Sequence, residues 1–212
     1  MKKIKVVLLG LDGAGKTTIV THLDSKAFVP SSTASSTNRD TDEETKETDS
    51  NVQGTWILPT SGMRLHRFRR SGMKWELWDM SGRSKFRSLW ASLFQSAHAL
   101  VFVVDTSNVL RLGVVQREFK KILANQIIRK RRTPILVLLN KGDHATENGQ
   151  RHINILELEG ALGINPSTKE RVHFETCNGI SGNGINESFG WLVQRCKDHH
   201  RTRQVLDSSG GN

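Results

Sequence analysis

The 212-residue sequence predicts an α/β fold, a mainly parallel sheet wrapped by helices. Three features predict it. A buried strand runs straight into a glycine-rich turn and a helix. Short runs rich in valine and leucine alternate with segments of helical spacing. Polar motifs follow those runs at their carboxyl ends, where open α/β sheets hold their ligands.

The elements follow in chain order. Lys3 to Leu9 turns apolar through Ile4, Val6, Val7, Leu8 and Leu9 and reads as a buried strand, and Thr17 to Lys26 reads as a helix. From Ser31 to Asn51 no large aliphatic or aromatic side chain occurs, and Ser, Thr, Asp and Glu dominate. Such a stretch cannot bury enough surface to offset its ordering entropy, so a disordered acidic insertion is expected at about 31–51. Met63 to Arg70 and Lys74 to Asp79 flank Ser71-Gly72, a hairpin signal. Ala99 to Val104 and Pro134 to Leu139 look like central strands buried on both faces. Between them Val115, Phe119, Ile122, Leu123 and Ile127 recur at helical spacing. After a strand from Arg171 to Glu175, Ile185, Phe189, Leu192, Val193 and Cys196 mark a closing amphipathic helix with a basic outer face. The length predicts about one domain. It is expected to run through residue 203, with 204–212 as a flexible tail.

Composition bounds the function classes. Cys177 and Cys196 give neither a disulfide framework nor metal-ligand spacing, and a cytoplasmic location is the default expectation. No apolar run approaches the roughly 18 residues that span a bilayer. The net charge of +10 is divided among Arg67 to Arg70, Arg129 to Arg132 and Arg195 to Arg203, without the aromatic interleaving that stacks bases. Anionic membrane surfaces or acidic protein partners therefore explain the charge as well as nucleic acid does.

Four motifs carry chemistry. Gly10-Leu11-Asp12-Gly13-Ala14-Gly15-Lys16-Thr17 matches a phosphate loop between a strand and a helix. Its glycines let backbone N–H groups converge on phosphates, Lys16 would neutralise the β- and γ-phosphates, and the Thr17 hydroxyl would ligate magnesium. Asp79-Met-Ser-Gly82 follows a strand. Its aspartate can hold magnesium through a water, and the Gly82 N–H can meet a γ-phosphate because no Cβ intervenes. Asn140-Lys141-Gly142-Asp143 follows another strand, and its carboxylate can accept from both guanine donors while the Lys141 stem covers the ring. Thr176-Cys177-Asn178 is placed to offer backbone N–H groups to the guanine oxygen. Thr60 is the candidate second magnesium-ligating hydroxyl.

Gly10 to Thr18, Pro59-Thr60-Ser-Gly62, Trp78-Asp79, Phe86-Arg87-Ser-Leu-Trp90 and Asn140 to Asp143 together resemble the Arf-like branch of the small GTPases, over residues 3 to about 200. Asp79 to Gly82, Val104 to Asn108 and Gly190-Trp191-Leu192 are most similar to its ciliary, BBSome-recruiting part, associated with Bardet-Biedl syndrome. The resemblance implies a phosphate-loop small-GTPase fold of six strands and about five helices. It implies GTP or GDP and Mg2+ as ligands, with Thr18 joining the nucleotide contacts. An exchange factor, a GTPase-activating protein and effectors bound in the GTP state are implied as partners of a monomer. A location at the ciliary or flagellar base, membrane-associated in the GTP state, is implied as well. The sequence departs from the pattern in three places. Lys2 follows Met1 where the branch carries an acylated glycine and an amphipathic helix, so membrane attachment of the chain as it stands is expected to be weak. Met63 replaces an aromatic of the effector surface. Arg83 occupies the position of the usual catalytic glutamine, so slow intrinsic hydrolysis is expected, with Lys16 and Gly82 as the remaining catalytic groups.

Two other function classes compete. A phosphate-loop kinase reading adenine has no use for Asn140 to Asp143, and a nucleic-acid module would show strong, salt-sensitive binding. The expected function is a GTP-operated switch that recruits effector or coat proteins in membrane traffic.

Overall fold

Strand β1 (Lys3–Gly10) lies third in a six-stranded sheet of order β2-β3-β1-β4-β5-β6. The computed structural model describes residues 3–24, 62–70, 72–142 and 151–209. The insertion expected at 31–51, Thr60 and Asp143 lie outside these residues. β3 (Met73–Met80), β4 (Ala99–Asp105), β5 (Ile135–Asn140) and β6 (Val172–Cys177) run parallel to β1 or to its parallel neighbours. Among the described strands only β2 (Met63–Arg70) is antiparallel, paired with β3 through the tight turn at Gly72, whose φ of 72° suits a residue without Cβ.

Side-chain alternation explains why the central strands are apolar throughout. In β4, Leu100, Phe102 and Val104 enter one core while Ala99, Val101 and Val103 enter the other. In β5, Ile135, Val137 and Leu139 are divided from Leu136 and Leu138 in the same way. The first core packs under α2 (Leu112–Ala124), α3 (Gln126–Lys130) and α4 (Ile155–Leu162), through residues such as Phe119, Ile128 and Leu158. The second packs under α1 (Lys16–Asp24) and α6 (Ile185–Ser209), where Ile19 meets Ile185, Phe189 and Leu192. The expected six-stranded, mainly parallel architecture is therefore present.

The residues that recur at helical spacing from Val115 to Ile127 are divided between two helices. The chain leaves helical geometry at Asn125 (ψ 127°), whose Oδ1 accepts from the N–H groups of Ile127 at 3.0 Å and Ile128 at 3.4 Å and so caps a new helix. The closing helix runs from Ile185 to Ser209. A one-turn α5 (Pro166–Lys169) and two 3-10 segments, Ser84–Leu93 and Val109–Arg111, complete the described elements.

Candidate nucleotide site

All the candidate motifs of the described residues meet at the carboxyl ends of β1, β3, β5 and β6. After β1 the chain turns through Leu11 to Gly15, and α1 begins at Lys16. Two glycines fit this turn tightly. A Cβ on Gly10 would lie 2.3 Å from the Val103 carbonyl oxygen of β4, and one on Gly15 (φ 90°) would lie 2.2 Å from Asn140 Nδ2. The loop is thereby packed onto the sheet while its N–H groups stay at a helix N-terminus, the arrangement that favours anions.

Lys16 is 6% exposed, and its Nζ donates to the carbonyls of Gly10 at 2.9 Å and Leu11 at 2.8 Å. Burial lowers its pKa to about 8, against the opposing pull of the Asp79 and Asp12 carboxylates, with Arg87 and Arg111 adding to the lowering. Thr17 Oγ1 donates to Asp79 Oδ2 at 2.7 Å, and Asp79 is fully buried near the end of β3. A hydroxyl and a carboxylate side by side, facing a loop built for anions, form the hard-oxygen donor set that suits magnesium shared with a phosphate. Among the described residues no cluster of three or more His, Cys, Asp or Glu side chains could hold a metal by itself.

Gly82 closes over this mouth. A Cβ there would sit 2.2 Å from the Asp12 nitrogen and 2.5 Å from the Gly10 oxygen, so only glycine allows the approach. Buried Trp90 fixes the turn by donating from Nε1 to the Ser81 carbonyl at 3.0 Å. The next residue, Arg83, is exposed and extended (φ −63°, ψ 140°). With Asp12, Arg87, Arg111 and Arg117 it lines a cavity of about 530 Å³ beside the loop.

Asn140 is the hub on the other side. Its Nδ2 donates to the Ala14 carbonyl at 2.9 Å and its Oδ1 accepts from the Gly179 N–H at 2.8 Å, joining the phosphate loop to the turn after β6. Lys141, held at φ 70°, donates from Nζ to Gly13 O at 2.9 Å and to Asp105 Oδ2 at 2.6 Å. Cys177 is buried with its Sγ 3.8 Å from Asn140 Oδ1. Asn178, expected to offer its N–H to a base, donates it to Asn183 O at 2.9 Å, while its side-chain oxygen closes the turn by accepting from Ile180 and Ser181. Thr18, at the start of α1, is half-buried.

Sequence reading missed the partners of Asp12. Arg111 donates from Nη2 to Oδ1 at 2.7 Å and from Nη1 to the Asp12 carbonyl at 2.9 Å. Arg87 reaches Oδ1 at 3.4 Å and the Gly82 carbonyl at 2.8 Å. The hydrogen bond from Arg111 leads in lowering the Asp12 pKa, against partial burial. The signal was present: an acidic residue in an anion-binding loop needs neutralising cations nearby. Which arginines supply them is set by the fold, since Arg111 is 99 residues away in the chain.

Comparison with known proteins agrees with this geometry. The model of the ADP-ribosylation factor family, Arf, matches residues 1–45 and 45–196. The chain is 27% identical over 196 residues to ADP-ribosylation factor-like protein 6 of Danio rerio, covering 92% of this chain and 90% of that protein. It is 25% identical over 192 residues to ADP-ribosylation factor F of Dictyostelium discoideum, covering 91% and 85%. The Arl6 BBS3 small GTPase of Trypanosoma brucei, solved with the nucleotide analogue GppNp, superposes with a TM-score of 0.72 at 27% identity, covering 93% of this chain and 99% of that one. With a phosphate loop, a hydroxyl–carboxylate pair and an asparagine hub on a six-stranded sheet, the chain belongs to the ADP-ribosylation factor family of small GTPases and is an Arf-like GTP-binding switch similar to Arl6.

Proposed function

We propose that the chain is a slowly hydrolysing switch that, in its GTP state, recruits an effector or coat assembly, such as the BBSome, to membranes at the base of a cilium or flagellum. The observation that carries the switch chemistry is the Thr17–Asp79 contact of 2.7 Å across the mouth of the loop that holds Lys16. It couples α1 to the strand leading into Gly82, so an ion held there would sense both segments. In this reading the backbone from Asp12 to Thr18 and the Lys16 ammonium bind the phosphates. Thr17, Thr60 and, through a water, Asp79 hold magnesium, and the Gly82 N–H meets the γ-phosphate. Asn140, Lys141, Asp143 and Cys177 form the base-reading end, and Asn178 shapes the turn beside it. Bound magnesium would supply neutralisation of phosphate charge. The ciliary assignment is supported by the similarity to Arl6 in two organisms.

The nucleotide carried by the purified protein tests the reading first. Tightly held GDP or GTP is expected, and an adenine nucleotide in its place would overturn it. Base reading is tested with Asp143→Asn, which should weaken GTP at least about 100-fold and favour xanthosine nucleotides, whose base offers an acceptor in place of one donor. Full GTP affinity in the variant would remove Asp143 from the site.

A further inference from the structure

The turn that carries Gly82 is held from behind by side chains of one short element. Ser81 is 1% exposed and both its backbone groups are taken: its N–H donates to the Gly62 carbonyl at 2.8 Å, and its carbonyl accepts from Trp90 Nε1 at 3.0 Å. One peptide further on, the Gly82 carbonyl accepts from Arg87 Nε at 2.8 Å. Both side-chain donors belong to the 3-10 segment Ser84–Leu93, which therefore holds two successive peptide planes.

The Trp90 ring is itself keyed into the first core. It is 3% exposed and meets Phe102 of β4 edge-on, with centroids 6.4 Å apart and planes at 80°, and Phe102 meets Phe119 of α2 at 5.1 Å. A buried indole needs an acceptor for its N–H, because leaving that donor unpaired costs free energy. Here the acceptor is the carbonyl of the same peptide whose N–H belongs to Gly82. A trans peptide is planar, and its C=O and N–H point in opposite directions. Drawing the Ser81 oxygen toward the Trp90 ring therefore turns the Gly82 N–H away from that ring. Gly82 itself lies against the phosphate loop, where an added Cβ would stand 2.2 Å from the Asp12 nitrogen and 2.5 Å from the Gly10 oxygen.

We propose that Trp90 is a positioning residue for the terminal phosphate: its ring N–H fixes the plane of the Ser81–Gly82 peptide so that the Gly82 N–H is presented at the loop mouth, and the fixed plane makes the site favour GTP over GDP. The proposal rests on the reading above in which the Gly82 N–H meets the γ-phosphate. A peptide left to rotate would have to be ordered as the nucleotide binds, whereas one held by the core is already in place. GDP has no phosphate to reach that N–H, so only the triphosphate gains. Linkage makes the effect reciprocal: if the Trp90 hydrogen bond favours the triphosphate, the triphosphate strengthens the Trp90 hydrogen bond by the same factor.

Affinities of the full chain for GDP and for GppNp, measured by displacement with Mg2+ present, provide the test. Trp90→Phe keeps an aromatic ring at this place in the core and removes the donor. It is expected to weaken GppNp at least about tenfold while GDP changes by less than about twofold. Trp191→Phe, the same change on α6, should alter neither affinity. Equal losses for both nucleotides would make Trp90 a packing residue, and undiminished GppNp affinity would make its hydrogen bond idle; either result overturns the proposal. A second measurement needs no variant. Solvent exchange of the Trp90 indole N–H, followed by NMR in the native chain, should be slower with GppNp than with GDP, and more so than for Trp75, whose ring is buried in the other core. A slowing no greater than that of Trp75 would overturn the proposal as well. A native chain that binds neither nucleotide would overturn the switch reading and this role together, whereas a binding chain that fails these tests would overturn only the role of Trp90.

Discussion

A guanidinium offers five donors and no acceptor, whereas a glutamine amide can accept from a water while donating toward a phosphate. On the slow-hydrolysis reading proposed above, Arg83, exposed beside Arg87, Arg111 and Asp12, lacks the acceptor with which an amide would orient an attacking water. Arg83→Gln is expected to raise single-turnover GTP hydrolysis at least about tenfold. A native rate equal to or above that of the variant would show that Arg83 is no handicap. Lys16 gives a second prediction, in stability. Its folded pKa, about 8, lies below the ordinary 10.5, so the folded state holds its proton less tightly than the unfolded chain. Between those values the unfolded chain binds more protons, and the stability of the nucleotide-free protein should rise with pH across that window. At about 1.4 kcal/mol per pH unit, the gain is bounded at about 3 kcal/mol. Cys196 acts oppositely above pH 9, because burial pushes its thiol up to about 12 and only the unfolded form ionises there. Comparison of urea denaturation with Lys16→Met isolates the lysine. A variant with the same pH slope as the native chain would refute the assignment.

At the scale of elements, the site is held by side chains that bridge one turn to another. Asn140 is 2% exposed, so Asn140→Ala would leave the Ala14 carbonyl and the Gly179 N–H without their partner. The expected cost is about 2–4 kcal/mol in denaturant titration of the nucleotide-free protein. A loss below about 1 kcal/mol would mean that the turns hold together without it. Such bridges explain what the sequence could and could not reveal. β4 and β5 were legible because strands covered on both faces are apolar at every position, and the hairpin was legible at Ser71-Gly72. The break at Asn125 was not, since the apolar spacing continues through Ile127 while one side-chain oxygen decides the geometry. α4 went unread although it carries its own signals, Asn154 accepting from the Glu157 N–H at its start and Gly163 at φ 67° at its end. Within the site, Lys16, Thr17, Asp79 and Asn140 were legible as motifs, each in a short run. The salt bridge from Arg111 to Asp12 was not, because spatial closeness between distant residues leaves no local pattern.

For the whole molecule, these bridges join the nucleotide pole to the sheet. Asn140 links β5 to the phosphate loop and to the turn after β6, Lys141 ties the same loop to the end of β4, and Thr17 ties α1 to β3. The strands so joined carry both cores, so the loop has little freedom to open while the sheet stays intact. A nucleotide should therefore stabilise the global unfolding transition and not merely quiet the loop. At a free concentration of 100 times Kd the linkage gain is about 2.7 kcal/mol. For a chain of this size that raises Tm by roughly 5–10 °C. GDP with Mg2+ should produce this shift as one cooperative transition, and ATP at the same concentration should produce almost none. Hydrogen exchange measured alongside should slow in the central strands β4 and β5 as well as in the phosphate loop, because their most protected amides exchange only through global unfolding. Slowing confined to the loop with an unchanged Tm would show that the nucleotide pole opens independently of the sheet, and the coupling inferred from these hydrogen bonds would be wrong.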